Sequence, residues 1–195
     1  VAAGVLTTTV SGLSANTQYY VWVRSVCTST DTSAWSLIHG FKTACGAVTA
    51  MNENFDSYAT GSIVPDCWAR MVPATTPGSQ TITSTTPASG TRNIYQYASA
   101  TQLPVLVVLP VFSNITADTH RVRFKARVSS GAPGSLSVGY VTDITDYSTF
   151  TSIQDLTINN TAYTATDAEY TVDVPALPAN ARIAIMNKND GKSYY

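Results

Sequence analysis

Along most of this chain hydrophobic and polar residues alternate with a period of two, the spacing of strands that bury one face. Residues 19–26 show the pattern most cleanly, with Tyr19, Val21 and Val23 on one face and Tyr20, Trp22 and Arg24 on the other. Comparable runs predict strands at 7–10, 35–43, 80–83, 94–98, 105–109, 120–128, 136–142, 152–158, 170–174 and 182–186. Turn-forming Gly, Pro, Asn, Asp and Ser separate them. A repeat of roughly 8–15 residues suits a β-sandwich rather than βαβ units. Residues 146–150 predict one helical turn, and no longer segment carries a 3.6-residue period. The segment 73–91 is mostly Pro, Thr, Ser and Gly and reads as a loop around one short strand. The texture changes at residues 44–46, which predicts a boundary between residues 1–44 and 45–195. The first part is too short for a sandwich of its own, and the second is long enough for a jelly roll.

Composition narrows the function classes. Charged residues make up 12% of the chain and the net charge is −1. An average soluble protein carries roughly 25% charged residues. That balance excludes a basic nucleic-acid footprint and an electrostatic attraction to anionic membranes. The 29 Thr and 20 Ser residues, against only two Glu, suit hydroxyl-covered strands and exclude a helical bundle or coiled coil. No apolar run approaches the ~20 residues of a membrane-spanning helix. Three cysteines in such a chain point to an oxidising, extracellular setting, with one of them left over.

Residues 12–24, Gly-Leu-Ser-Ala-Asn-Thr-Gln-Tyr-Tyr-Val-Trp-Val-Arg, resemble the fibronectin type III signature, in which a Leu precedes a turn and a Thr-x-Tyr-x-Val-x-Val strand follows. Residues 33–36 and 41–43 resemble the end of that fold, and Ala15 stands where the family has Pro. The resemblance implies a tyrosine corner at Tyr19 and strands E, F and G alone. Half a sandwich leaves its inner face wet, so this part is expected to be cut from a longer polypeptide. The alternative is a short meander packed on the larger domain.

A second ordered set comprises Glu53-Asn54-Phe55-Asp56, Pro65-Asp66-Cys67-Trp68, residues 120–126 and 138–143, Ser148-Thr149-Phe150, and the closing residues 192–195. Together they resemble the choice-of-anchor J and cleaved-adhesin group of jelly-roll domains, related to MAM domains and found in secreted proteins of Bacteroidota. The expected fold class is therefore all-β: a partial fibronectin type III sandwich followed by a jelly-roll β-sandwich. The resemblance implies adhesion or spacing, with no catalytic centre to carry over, and a further strand after the final Tyr. It also implies a disulfide between Cys45 and Cys67, which flank the first motif as in its relatives, closing a loop worth roughly 3 kcal/mol. In the fibronectin-like arrangement Cys27 and Cys45 lie at opposite poles, ~25 Å apart, beyond disulfide reach. Cys27 is expected to pair with a residue upstream.

Candidate site residues follow. Many domains of this architecture hold structural Ca²⁺ near their start, and Glu53 and Asp56 offer the hard oxygen ligands that ion takes. The other reading is Asp56 as a turn cap and Glu53 as a solvated residue. Asp143 and Asp146 are three apart, as a metal or glycosidase pair would allow, but flanking hydroxyl residues favour turn stabilisation. His39 and His120 lack zinc spacing. Gly191-Lys192-Ser193 lacks the rest of a phosphate loop. Asn114 and Asn159 lie in glycosylation-type sequences. Trp68, Tyr95, Tyr97, Tyr140 and Tyr147 are the candidates for a sugar-stacking face; the favoured reading of the same side chains is core and cross-strand packing. The leading expectation is a non-catalytic extracellular or surface segment that binds a glycan or surface protein beside neighbouring domains of its polypeptide. The alternatives are an accessory module of a secreted hydrolase and a structural repeat of a surface fibre.

Overall fold

A computed structural model describes residues 7–74, 78–101, 103–164 and 166–195. The chain divides into two compact units, Val1–Gly46 and Ala47–Tyr195. Among the described residues the regular elements are β-strands and two short 3-10 turns. No helix of the described residues is long and apolar enough to cross a membrane.

The smaller unit is built on one hairpin, β1 (Gln18–Val21) with β2 (His39–Lys42). Tyr19 faces Phe41 across it, with ring centroids 6.0 Å apart. The Ser14 N–H donates to the Tyr19 hydroxyl at 2.8 Å, and the Thr43 hydroxyl donates to the Ser14 carbonyl at 2.6 Å. The strands end sooner than the alternation predicts. Beyond Val21, hydroxyls replace carbonyls as acceptors: Val23 N–H donates to Ser36 Oγ at 3.1 Å and Ser25 N–H to Ser33 Oγ at 2.9 Å. The two segments still run side by side, since the Ser36 and Ser33 N–H groups donate to the Val23 and Ser25 carbonyls. The strand expected at 7–10 is absent, because this segment has no described partner strand. Trp22, Val23, Trp35 and Leu37 are all exposed, Leu37 at 92%.

The described residues of the larger unit form ten strands: β3 (Ala69–Met71), β4 (Gly78–Thr83), β5 (Asn93–Ala98), β6 (Val105–Val108), β7 (His120–Lys125), β8 (Gly134–Val141), β9 (Thr151–Ile158), β10 (Glu169–Val174), β11 (Arg182–Asn187) and β12 (Ser193–Tyr194). A five-stranded antiparallel sheet, in the order β3-β6-β11-β8-β9, forms one layer. The ribbons β12-β5-β4 and β10-β7 are separate sheets. The main core, with Val128, Leu136, Val138, Ile158, Val172, Val174 and Ile183, draws side chains from both β7–β10 and the large sheet. A second apolar cluster of Met71, Leu106, Val108, Val141 and Ala184 covers the other face of that sheet, under Tyr147 and Phe150. Burial on both faces explains why β6 reads as an unbroken apolar run. Gly139 is required beneath Phe150, because a Cβ there would collide with the Phe150 ring and the Thr151 carbonyl.

Two strands escaped the sequence pattern. β3 and β12 are three and two residues long, too short to show alternation. The expected helical turn is a 3-10 turn at Tyr147–Thr149, capped by the Asp146 carboxylate accepting the Ser148 N–H at 2.8 Å.

Leu106 is fully buried and Leu37 is exposed. Leu106→Ala should therefore cost the larger unit about 2–5 kcal/mol in denaturant unfolding. Leu37→Ala should stay within about 0.5 kcal/mol.

Candidate functional site

The Glu53–Asp56 segment is a clamp that ties the start of the larger unit to Thr91 and Arg92. Asp56 Oδ1 accepts the Thr91 N–H at 2.6 Å, the Thr91 hydroxyl at 3.1 Å and the Arg92 N–H at 2.9 Å. Its other oxygen accepts from the Asn54 amide at 3.3 Å. The Thr91 N–H in particular, with the Thr91 hydroxyl and Arg92 adding to it, holds the Asp56 carboxyl below its ordinary 3.8 against the opposing effect of burial. Gly90, at φ 62°, admits this carboxylate, and a Cβ there would run into it. Glu53 Oε1 accepts the Phe55 N–H at 2.6 Å, and Phe55 itself has φ 67°. These two carboxylates do not by themselves fit Ca²⁺, which takes six to eight oxygens. Asp56 Oδ1 is taken by the Thr91 and Arg92 donors and one Glu53 oxygen by the Phe55 N–H, and among the described residues no group of three or more His, Cys, Asp or Glu side chains gathers.

The Asp143–Asp146 pair is engaged in its own turn. Asp143 Oδ1 accepts the Thr145 hydroxyl at 2.7 Å and N–H at 2.8 Å, and those bonds, the hydroxyl first, lower its pKa. His120 Nε2 donates to the Asn114 carbonyl at 2.9 Å, and His39 is exposed on β2. Cys45 and Cys67 are disulfide-bonded, whereas Cys27 is an exposed free thiol in this chain.

The five candidate aromatics do not share one face. Trp68 meets Phe55 edge-on at 5.9 Å and packs on the main core, as does Tyr140 from β8. Tyr147 packs on the second cluster, where its hydroxyl is buried without a hydrogen-bond partner and burial raises its pKa. This corrects the expectation of a single stacking face: three of the rings pack on the two apolar clusters. Tyr95 and Tyr97 remain together, on the outward side of β5, since Gln96 between them is buried and its amide donates to the Ile185 carbonyl at 3.2 Å. Tyr195, which the sequence did not single out, joins them. Its ring lies 5.2 Å from that of Tyr95, and the Arg127 guanidinium sits over it at 4.1 Å. The Tyr95 hydroxyl is 2.9 Å from Ser193 Oγ. The cross-strand placement of β12 makes this platform, and two residues of strand leave no period to read.

A cavity of about 550 Å³ opens on the inner side of the same region, lined by Ile94 and Gln96 of β5, Val122 and Phe124 of β7, and Ile183 and Ile185 of β11. It reaches the main core directly.

No family model matches the chain. No curated protein matches it either. Solved structures do. The larger part of the chain shares its β-sandwich fold with two of them. The K2 cleaved adhesin domain of Lys-gingipain (Kgp) is similar over 73% of this chain and 92% of that domain, at 19% identity and a TM-score of 0.54. The K1 cleaved adhesin domain of Lys-gingipain from Porphyromonas gingivalis W83 is similar over 73% of this chain and 90% of that domain, at 15% identity and a TM-score of 0.51.

The lowered pKa of Asp56 gives a signed pH dependence. The clamp stabilises the fold above its ordinary value of 3.8, and that contribution is lost as pH falls through the lowered value. Asp56→Asn should therefore melt earlier than the parent at neutral pH, with the deficit shrinking toward zero as pH falls through the lowered value. Gly90→Ala should cost about 1–3 kcal/mol at neutral pH in the same measurement. Non-reducing peptide mapping should recover Cys27 as the one alkylated cysteine.

Proposed function

We propose that this chain is a non-catalytic binding segment of a larger secreted or surface polypeptide. The observation that carries the reading is the adhesin-type sandwich of the larger unit, which spans nine-tenths or more of two cleaved adhesin domains. The disulfide at Cys45 and Cys67 supports an oxidising, extracellular setting. The smaller unit supports a place in a string of domains. Its Ser14 N–H bond to the Tyr19 hydroxyl is the kind of tie that a fibronectin type III tyrosine corner makes between loop and sheet.

The binding face in this reading is the outward platform of Tyr95, Tyr97 and Tyr195. Flat rings with polar tips, held on strands, suit stacking against the apolar face of a sugar ring, with the Tyr hydroxyls and Ser193 oriented for sugar hydroxyls. The Arg127 guanidinium fixes the Tyr195 ring at one end.

A glycan array on the 195-residue chain, followed by calorimetry on the best ligand, tests this. Tyr95→Ala should weaken binding by about tenfold, the equivalent of one lost stacking contact. Tyr147→Phe, within a core cluster, should leave it unchanged. Equal affinity for Tyr95→Ala would remove the platform from the reading, and an array with no bound glycan would remove the sugar.

A further inference from the structure

The outward face of the second layer changes character beyond the tyrosine platform. Four of the chain's 11 basic residues, Arg121, Arg123, Lys125 and Arg127, stand at alternate positions. A strand sends alternate side chains to one face. On β7 the exposed positions are Arg121, Arg123 and Lys125, while Val122 and Phe124 pack on the main core. Arg127 continues the row and meets the platform. It exchanges both of its main-chain bonds with Tyr195, at 3.0 Å each, and the Tyr195 ring lies against that of Tyr95. Rings and cations thus share one track. It runs about 9.5 Å across, from β5 over β12 to the end of β7, and then about 20 Å along β7 from Arg127 to Arg121.

The cations of this track are not equally free to meet a ligand. Arg127 is buried and engaged: its guanidinium lies over the Tyr195 ring and donates to the Thr161 carbonyl at 3.3 Å and to the Thr86 hydroxyl. In the register with β10, Arg121 faces Asp173 and Lys125 faces Glu169, both pairs of opposite charge. Arg123 faces Thr171 instead. Glu169 approaches it only diagonally, at 3.7 Å, well beyond the roughly 2.7–2.9 Å of a charge-assisted hydrogen bond. The Arg123 side chain is 67% exposed. Across β7 and β10 the track therefore carries three exposed cations against two exposed carboxylates, and the excess charge falls on Arg123.

We infer that this track binds a glycan carrying uronic acids, with sugar faces on Tyr95 and Tyr97 and a carboxylate on Arg123. The inference rests on the sugar-binding reading of the platform and adds the charge of the ligand. A guanidinium presents a planar fork that takes a carboxylate through two parallel N–H···O bonds. The two carboxylates of β10 limit the charge density that fits. A sugar with one carboxylate per ring can reach Arg123 and stay clear of Glu169 and Asp173. A densely sulfated chain would bring several anions against them, and like charges at such separations repel.

Calorimetry on the 195-residue chain tests this with oligosaccharides of galacturonic acid, of mannuronic acid and of the hyaluronan repeat, each beside its methyl ester. The ester keeps the rings and hydroxyls and removes the charge. At least one acid form should bind about tenfold tighter than its ester, the equivalent of one hydrogen bond to a charged group. That margin should shrink as salt is raised. Arg123→Gln should close most of the margin by weakening the acid form, whereas Tyr95→Ala should weaken acid and ester alike. Glu169→Gln should tighten the acid form, a gain that a purely structural role of the Arg123–Glu169 pair would not give. Equal affinity for acid and ester, both lowered by Tyr95→Ala, would overturn the uronic-acid inference and leave the platform standing. Acid binding that survives Arg123→Gln, or heparin binding tighter than every uronic-acid probe, would overturn it too. Binding of no uronic-acid probe would also overturn it, and the glycan array then decides separately whether the platform takes a neutral sugar.

Discussion

The second layer of the larger unit depends on two residues. Ser193 and Tyr194 supply the strand that pairs with β5 on one side and, through Tyr194 and Val128, with the end of β7 on the other. Buried main-chain donors and acceptors must find partners, and here a two-residue strand provides them for both ribbons. The Tyr194 side chain extends the same link into the core. Its hydroxyl accepts the Ser135 N–H at 2.6 Å and donates to the Asp190 carboxylate, and burial raises its pKa above the ordinary tyrosine value. Gly134 is part of this arrangement, since a Cβ there would overlap the Tyr194 ring and hydroxyl.

Polar side chains buried between strands tie the layers together. Asn187 is fully buried on β11, with its amide donating to the Gln96 and Lys192 carbonyls and its oxygen accepting the Asn189 N–H at 3.1 Å. Gln96 returns a bond to the Ile185 carbonyl. Arg182 donates to the Leu109 and Cys67 carbonyls, and desolvation lowers its pKa. Such bonds add modestly to stability when made and cost more when broken, so they hold β5 in place over β11 and fix the position of the Cys67 loop.

The two units use apolar side chains differently. In the larger unit they fill two clusters on either side of a five-stranded sheet. In the smaller unit Trp22, Val23, Trp35 and Leu37 remain exposed, and the hairpin is held by the Tyr19–Phe41 stack and by hydroxyl groups of Ser and Thr. The abundance of Ser and Thr noted in the composition thus has a structural consequence: hydroxyls complete pairings where the main-chain ladder stops.

The chain's periodicity by itself determined the β class and the position of most strands, because a side-chain period of two survives in any strand that buries one face or sits among turn residues. Residues 94–98, 120–125, 152–158 and 170–174 are examples, each lying in a strand of the larger unit. The Asp146 cap was legible for a similar reason, since an Asp carboxylate readily accepts the main-chain N–H two residues on, a bond local to the sequence. What only tertiary structure decided were the features that depend on partners distant in sequence. β3 and β12 are too short to carry a period and exist because β6 and β5 offer edges to them. Asp56 is a clamp because the backbone of Thr91 and Arg92 arrives beside it, and Trp68, Tyr140 and Tyr147 differ from Tyr95 and Tyr97 because the layers cover one set and leave the other facing outward. Alternation along a strand says that two faces differ; which face meets another layer is set by how strands far apart in the sequence come together.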